Sequence, residues 1–192
     1  MITKIKKENL LEIVNNIIER DDQVKILSLS DELTISQVVK FFTKQGRNFT
    51  KTMIQNYIRV GVLPPPIDKR YYTKDHLVLL TIIDNLKEIY SLEEIKEVLE
   101  PVRNNPDIFE DDIFKTIDIY NNYLEIRKDA LGKWSESLNS IFDKVEALLD
   151  KDGIREAEKD RASAFLLILS IMAETIAKKD MVEELVQKYI KG

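Results

Sequence analysis

Five residues of one short run could do chemistry together. In KTMIQNYIRV, residues 51 to 60, the polar positions are Lys51, Thr52, Gln55, Asn56 and Arg59, and Met53, Ile54 and Tyr57 stand between them. At 3.6 residues per turn that spacing places the polar five on one face of a helix and the apolar three on the other. A glutamine or asparagine amide pairs in bidentate fashion with the N6 and N7 edge of adenine, while lysine and arginine serve guanine or phosphate. Plain solvation also produces a polar helix face, so the surroundings of this run decide what it is for.

Those surroundings are basic. From Thr34 to Lys74 the chain carries Lys40, Lys44, Arg47, Lys51, Arg59, Lys69, Arg70 and Lys74 against the single acid Asp68, which is 8 − 1 = +7. The whole chain of 192 residues sums to −5, so the rest carries −5 − 7 = −12. A compact basic module inside an acidic protein is the distribution expected when one part meets phosphate and the remainder does not. A solvated basic surface with no partner is the alternative that charge alone leaves open.

Other chemistries are poorly supplied. The chain has no cysteine, which excludes disulfides and thiolate metal sites, and His76 is its only histidine. No phosphate-binding glycine loop or pairing of a nucleophile with a base is visible, so neither an enzyme nor a cofactor is expected. The N-terminal MITKIKKENLLEIVNN lacks the unbroken apolar stretch of a secretory signal. The apolar run AFLLILSIMAETIA, residues 164 to 177, is cut short by Glu174 and Lys178, below the roughly 20 residues a bilayer needs. A cytoplasmic protein without a membrane segment is the expectation, and His76 reads as an early helix residue.

Periodicity supplies the elements that hold the polar face. Residues 4 to 19 place Ile5, Leu10, Leu11, Ile13, Val14, Ile17 and Ile18 on a broad apolar side of a first helix, ended by Asp21 and Asp22. Thr34 and Gln37 form a capping box before a second helix from about residue 35, and Gly46 and Asn48 supply a turn. Thr50 then caps the helix that carries the polar face, and Gly61 stops it. Pro64, Pro65 and Pro66 force a stiff, extended exit. Asp68 and Lys69 fit a turn tip, Arg70, Tyr71 and Tyr72 an extended return, and Thr73 the cap of a helix from about Lys74. Two short helices followed by such a hairpin predict a winged helix-turn-helix, in which Arg70 and a tyrosine hydroxyl reach phosphates flanking a groove. Simple packing of Tyr71 or Tyr72 is the competing reading.

The order LTISQVVKFF, MIQNYIRVGVLPPP, KRYYTKDHLVLLTIIDNLKEIYSLEEIKEVLE resembles the winged-helix domain of MerR-type transcription regulators across about residues 33 to 100. Ile54, Tyr57, Arg59, Gly61, Leu63, Pro64, Arg70, Tyr72, Thr73 and the SLEEI run from Ser91 carry that resemblance. The chain is still more similar to a bacterial family known only as domain of unknown function 1836, through its Q-N-Y-x-R-x-G-x-L-P-P-P run. The resemblance implies a transcription regulator that binds double-stranded DNA as a homodimer; together with the polar face and the hairpin, the expected DNA contacts are Lys51, Thr52, Gln55, Asn56, Arg59, Lys69, Arg70 and Tyr72. It departs from the MerR pattern at Gln55 and Asn56, where an arginine and a tyrosine are usual, so those contacts do not transfer unchanged.

The tail repeats apolar residues at alternating spacings of four and three: Ile113, Ile117, Tyr120, Leu124, Leu131, Trp134, Leu138, Ile141, Val145 and Leu148, with Arg127 as the polar break and Gly132 as a site for a kink. Such a seam suits a coiled-coil dimer or, equally, an intrachain bundle with a helix at about 154 to 178. Asp180 and Glu183 predict a separate last helix. The expectation is a mainly α protein with an N-terminal helix (1–32), a winged-helix domain (33–103) and a helical dimerisation region (107–192). A protein-interaction module that no longer binds DNA is the rival function. Operator, effector and sign of regulation are not encoded in any pattern found.

Overall fold

The computed structural model describes residues 7–21, 26, 29–105, 107–110 and 112–191. The expectations that fall on Ile5 and Asp22 lie outside them. The protein is mainly helical: α1 (Lys7–Asp21), α2 (Ile35–Lys44), α3 (Lys51–Val60), α4 (Lys74–Leu86), α5 (Leu92–Leu99), a 3-10 turn (Glu100–Val102), α6 (Thr116–Lys151) and α7 (Glu156–Tyr189). Between α3 and α4 lies a small hairpin instead of regular strands. Leu33 pairs with Tyr72 and Ile67 with Tyr71 in isolated antiparallel bridges.

The chain divides into two compact units whose limits differ from those expected. One runs to Leu124 and takes in α2 to α5 with the first turns of α6; the other holds α1, α6 from Glu125 onward, and α7. The division falls inside α6 because its first turns carry Ile117, Tyr120 and Leu124, which pack into the core of α2 to α5.

That first core is organised by α4. Every residue from His76 to Ile83 is buried, so α4 is apolar on all sides and the other helices surround it. Phe42 stacks against Phe49 with ring centroids 4.3 Å apart, Phe49 meets Tyr57 edge-on at 6.5 Å, and Ile54, Leu63 and Ile95 close the space. Truncating a ring such as Phe42 to alanine in a core of this kind costs about 3–5 kcal/mol.

The caps expected at Thr34 and Thr50 form, and α5 adds one at Ser91. Thr50 accepts from the Met53 N–H at 3.1 Å, Gln37 Oε1 receives the Thr34 N–H at 2.8 Å, and Ser91 and Glu94 exchange bonds at the start of α5. Gly61, at φ 84°, takes the left-handed conformation that ends α3.

In the second unit the α6 stripe continues through Leu138, Phe142, Val145 and Leu149, all buried, and Val14 of α1 and Leu167 of α7 are buried in the same unit. Toward its end the buried register thus falls on Phe142 and Leu149 beside Ile141 and Leu148. On α1 Val14 is buried and Leu10 and Ile17 are half-buried, while Leu11 and Ile13 stand exposed; the side chain of Ile18 lies outside the described ones. α6 runs through Gly132 without interruption, and α7 runs through Asp180 to Tyr189 where a separate helix was expected. The Lys179–Glu183 pair at 3.7 Å bridges that point one turn on, and strong helix formers surround it.

The lone histidine ties the hairpin together. His76 is 1% exposed. Its Nδ1 accepts the Thr73 N–H at 3.1 Å, which fixes the tautomer and leaves Nε2–H to donate to the Pro65 carbonyl at 3.2 Å. The ring also meets Tyr72 and Phe109 edge-on. Burial lowers its pKa from 6.5 to about 4, against the Pro65 hydrogen bond, which raises it. The folded pKa is depressed, so the unfolded chain binds the extra proton between these values and stability falls as pH drops through the window. The loss should reach about 3 kcal/mol by pH 4. His76→Gln keeps an acceptor for Thr73 but cannot titrate, so its urea midpoint should fall less than the wild type's between pH 6.5 and 4.5. Parallel pH profiles for the two proteins would overturn this account.

Candidate nucleic-acid interface

The α3 face forms as its spacing requires. Ile54 and Tyr57 are buried, and Lys51, Thr52, Gln55 and Arg59 are exposed. Asn56 differs: it is half-buried, and its Oδ1 accepts from Arg59 Nη2 at 2.6 Å. Its carbonyl is thereby occupied in steering the guanidinium, so Asn56 acts through Arg59 in this state.

Tyr72 needs correction as a contact residue. It is 4% exposed, it packs in the core against His76, and burial raises its phenol pKa. The reason is the Leu33–Tyr72 bridge, whose two backbone bonds of 3.0 and 2.8 Å turn this residue inward while its neighbour Tyr71 stays partly exposed. Arg70 lies over the Tyr71 ring, 5.1 Å from its centroid, so Tyr71 is the aromatic that accompanies the charged hairpin.

The hairpin tip is strained. Asp68 and Lys69 have φ of 51° and 58°, the left-handed pair of a type I′ turn closed by Arg70 N–H to Ile67 O at 3.0 Å. Glycine or asparagine fits such positions at little cost, whereas a lysine there costs on the order of 1 kcal/mol. The chain accepts that cost and holds an exposed cation at the tip.

Of the eight cations between Thr34 and Lys74, two are held in ion pairs. Arg47 pairs with Asp84 at 2.8 Å and also donates to Asn85, and Lys74 lies 3.5 Å from Asp31. The other six (Lys40, Lys44, Lys51, Arg59, Lys69 and Arg70) are exposed and make no ion pair among the described residues. Lys40 and Lys44 on α2 extend the surface beyond the eight residues singled out from sequence; their spacing of four on one helix face was the available signal.

Helix termini add to the asymmetry. α1, α4, α5, α6 and α7 each carry an acid in the first turn, which complements the positive end of the helix dipole. α2 and α3 carry none, and α3 begins with Lys51. Their N–H ends are left without a local counter-charge, the arrangement that suits a phosphate. No group of three His, Asp or Glu side chains that could hold a metal occurs among the described residues, and no helix is long and apolar enough to cross a membrane.

If the tip lysine is retained for its charge, Lys69→Gly should raise stability by about 0.5–1 kcal/mol by relieving the left-handed strain. A thermal or urea melt in which Lys69→Gly is less stable than wild type would show that the lysine stem packs and the strain argument is wrong.

No curated protein and no solved structure matches the chain. A family described as Domain of unknown function (DUF1836) matches residues 22–123, more than half of the 192. The matched stretch covers α2 to α5, the hairpin and the first turns of α6, nearly the span of the first compact unit. On that match, the protein belongs to the DUF1836 family.

Proposed function

We propose that the unit up to Leu124 is a MerR-like winged helix that binds duplex DNA, with α3 in the major groove and the hairpin as its wing. The protein then acts as a cytoplasmic, non-enzymatic regulator of transcription and binds its operator as a homodimer. One observation carries this reading: six exposed cations that make no ion pair among the described residues lie on α2, α3 and the hairpin, beside two helix N-termini that lack acids. Helices elsewhere in the chain follow the opposite rule, so a general basic composition does not account for the pattern.

Within this reading the residues divide by role. Lys40, Lys44, Lys51, Lys69 and Arg70 attract and position phosphates and carry no sequence information. Gln55, exposed and uncharged, is the direct reader of a base edge, and Arg59, steered by Asn56, reads guanine or grips the backbone. Burial removes Tyr72 from this set and leaves it to hold the wing.

A titration of specific against random duplex, repeated over a range of salt, tests the assignment. Gln55→Ala should cost about 1–3 kcal/mol on the operator and leave random-sequence binding nearly unchanged. Arg70→Ala should weaken both together and reduce the slope of log affinity against log salt by about 1 per half-site. Failure of the wild-type protein to bind any genomic duplex at low salt would remove the DNA reading and leave a protein-interaction module.

A further inference from the structure

α7 is apolar on two faces. Leu167 is 2% exposed, whereas Phe165, Ile168, Leu169, Met172 and Ile176 are 63%, 56%, 48%, 55% and 58% exposed. At 3.6 residues per turn the five fall within an arc of about 100° on the side away from Leu167. A helix that is apolar all round is normally covered all round. Five large side chains about half in water leave on the order of 500 Å² of apolar surface, large for a monomer. Two such stripes together approach the roughly 1,000 Å² that a specific interface requires.

The borders of the stripe suit close approach of a second helix. Ala162, Ala173 and Thr175 flank it, and Thr175 Oγ1 already donates to the Ile171 carbonyl at 2.9 Å, so covering it strands no hydroxyl. The charges at its ends choose the occupant. Arg161 and Lys179 lie on one border; Asp180 lies on the other, and Glu158 and Glu183 lie near the midline. When two copies pack in parallel about a two-fold axis along the helices, opposite borders meet at equal height. Lys179 of each copy, already paired with Glu183 of its own chain at 3.7 Å, then also faces Asp180 of the other, and Arg161 faces Glu158, which Arg155 of the same chain holds. An antiparallel pair joins like borders and sets Arg161 against Lys179 and Glu158 against Glu183. A membrane surface is a poor alternative, since acids as well as bases border the stripe and the chain outside residues 34–74 carries −12.

We infer that the exposed stripe of α7 is covered by the same stripe of a second copy, packed in parallel. This deepens the dimer invoked above by giving it a surface distinct from the α6 seam, which the intrachain core uses, and it rests on that reading only for its bearing on DNA. Sedimentation equilibrium of the full chain tests it. The wild type should be a dimer at micromolar concentration, and Met172→Glu with Ile176→Glu should be monomeric with an unchanged helical circular dichroism. The charge series guards against misfolding of that variant: Lys179→Glu should weaken the dimer about tenfold, and adding Asp180→Lys should restore it. A monomeric wild type, a glutamate variant that still dimerises, a charge pair that does not rescue, or a monomer that floats with anionic phospholipid vesicles would each overturn the proposal. Titration with random duplex at low salt separates the two readings: loss of DNA binding in an intact dimer removes the DNA reading and leaves this interface standing.

Discussion

A single neutral imidazole closes the loop on which the basic surface depends. The three prolines after α3 carry the chain away from the helix in an extended form, and nothing in that segment's own backbone brings it back. His76, three residues into α4, accepts from the Thr73 N–H and donates to the Pro65 carbonyl, and so fastens the departing strand to the start of the next helix. The distance between Pro65 and Thr73 is thereby fixed, and the turn at Asp68 and Lys69 must fit within it. Tyr72 and Phe109 against the ring complete the anchor. Because the ring is buried and bonded on both nitrogens, it holds as a neutral group and yields to protonation only well into acid.

Around that anchor the fold separates charge from packing. α4 surrenders eight consecutive residues to the core, which frees α2 and α3 to bury only one face each and to leave the other entirely polar. The acids that do approach the basic module are spent on its inner side: Asp84 holds both Arg47 at 2.8 Å and Lys87 at 2.6 Å, where all three are half-shielded. The buried Arg103–Asp112 pair, at 3.6 Å, likewise ties the segment after α5 to itself, with Arg103 reaching toward the Val62 carbonyl. Of the charged side chains that stay in water on α2, α3 and the hairpin, all but Asp68 are cationic. Strain at Lys69 and the acid-free starts of α2 and α3 are costs that stability alone would remove.

The second unit shows how one periodic seam can serve inside a chain and still leave a partner to be found. The four-three repeat of α6 goes to cores within the chain, so it is α7, and not α6, that carries the uncovered stripe. The short connection through Gly153, at φ 63°, with Ile154 N–H to Leu149 O at 3.2 Å, ends α6 and starts α7, and Lys159 reaches back across it to Asp150 at 3.3 Å.

The sequence by itself determined the helices α2 to α4, the caps at Thr34 and Thr50 and the polar face of α3. These depend on contacts three or four residues apart, such as Thr50 with Met53 and Thr34 with Gln37, and such pairs are legible in any local window. It also determined the local charge, since +7 is a sum and needs no geometry. Only the tertiary structure decided which of two adjacent tyrosines faces the core, because that follows from the register of the Leu33–Tyr72 bridge across 39 residues of chain (72 − 33). In the same way it decided that Arg47 is neutralised by a residue of α4, that Asn56 is committed to Arg59, and that His76 is a fastening rather than an ordinary helix residue. Each of those outcomes turns on which side chains a distant element brings within hydrogen-bond reach, and no spacing within a single helix carries that information.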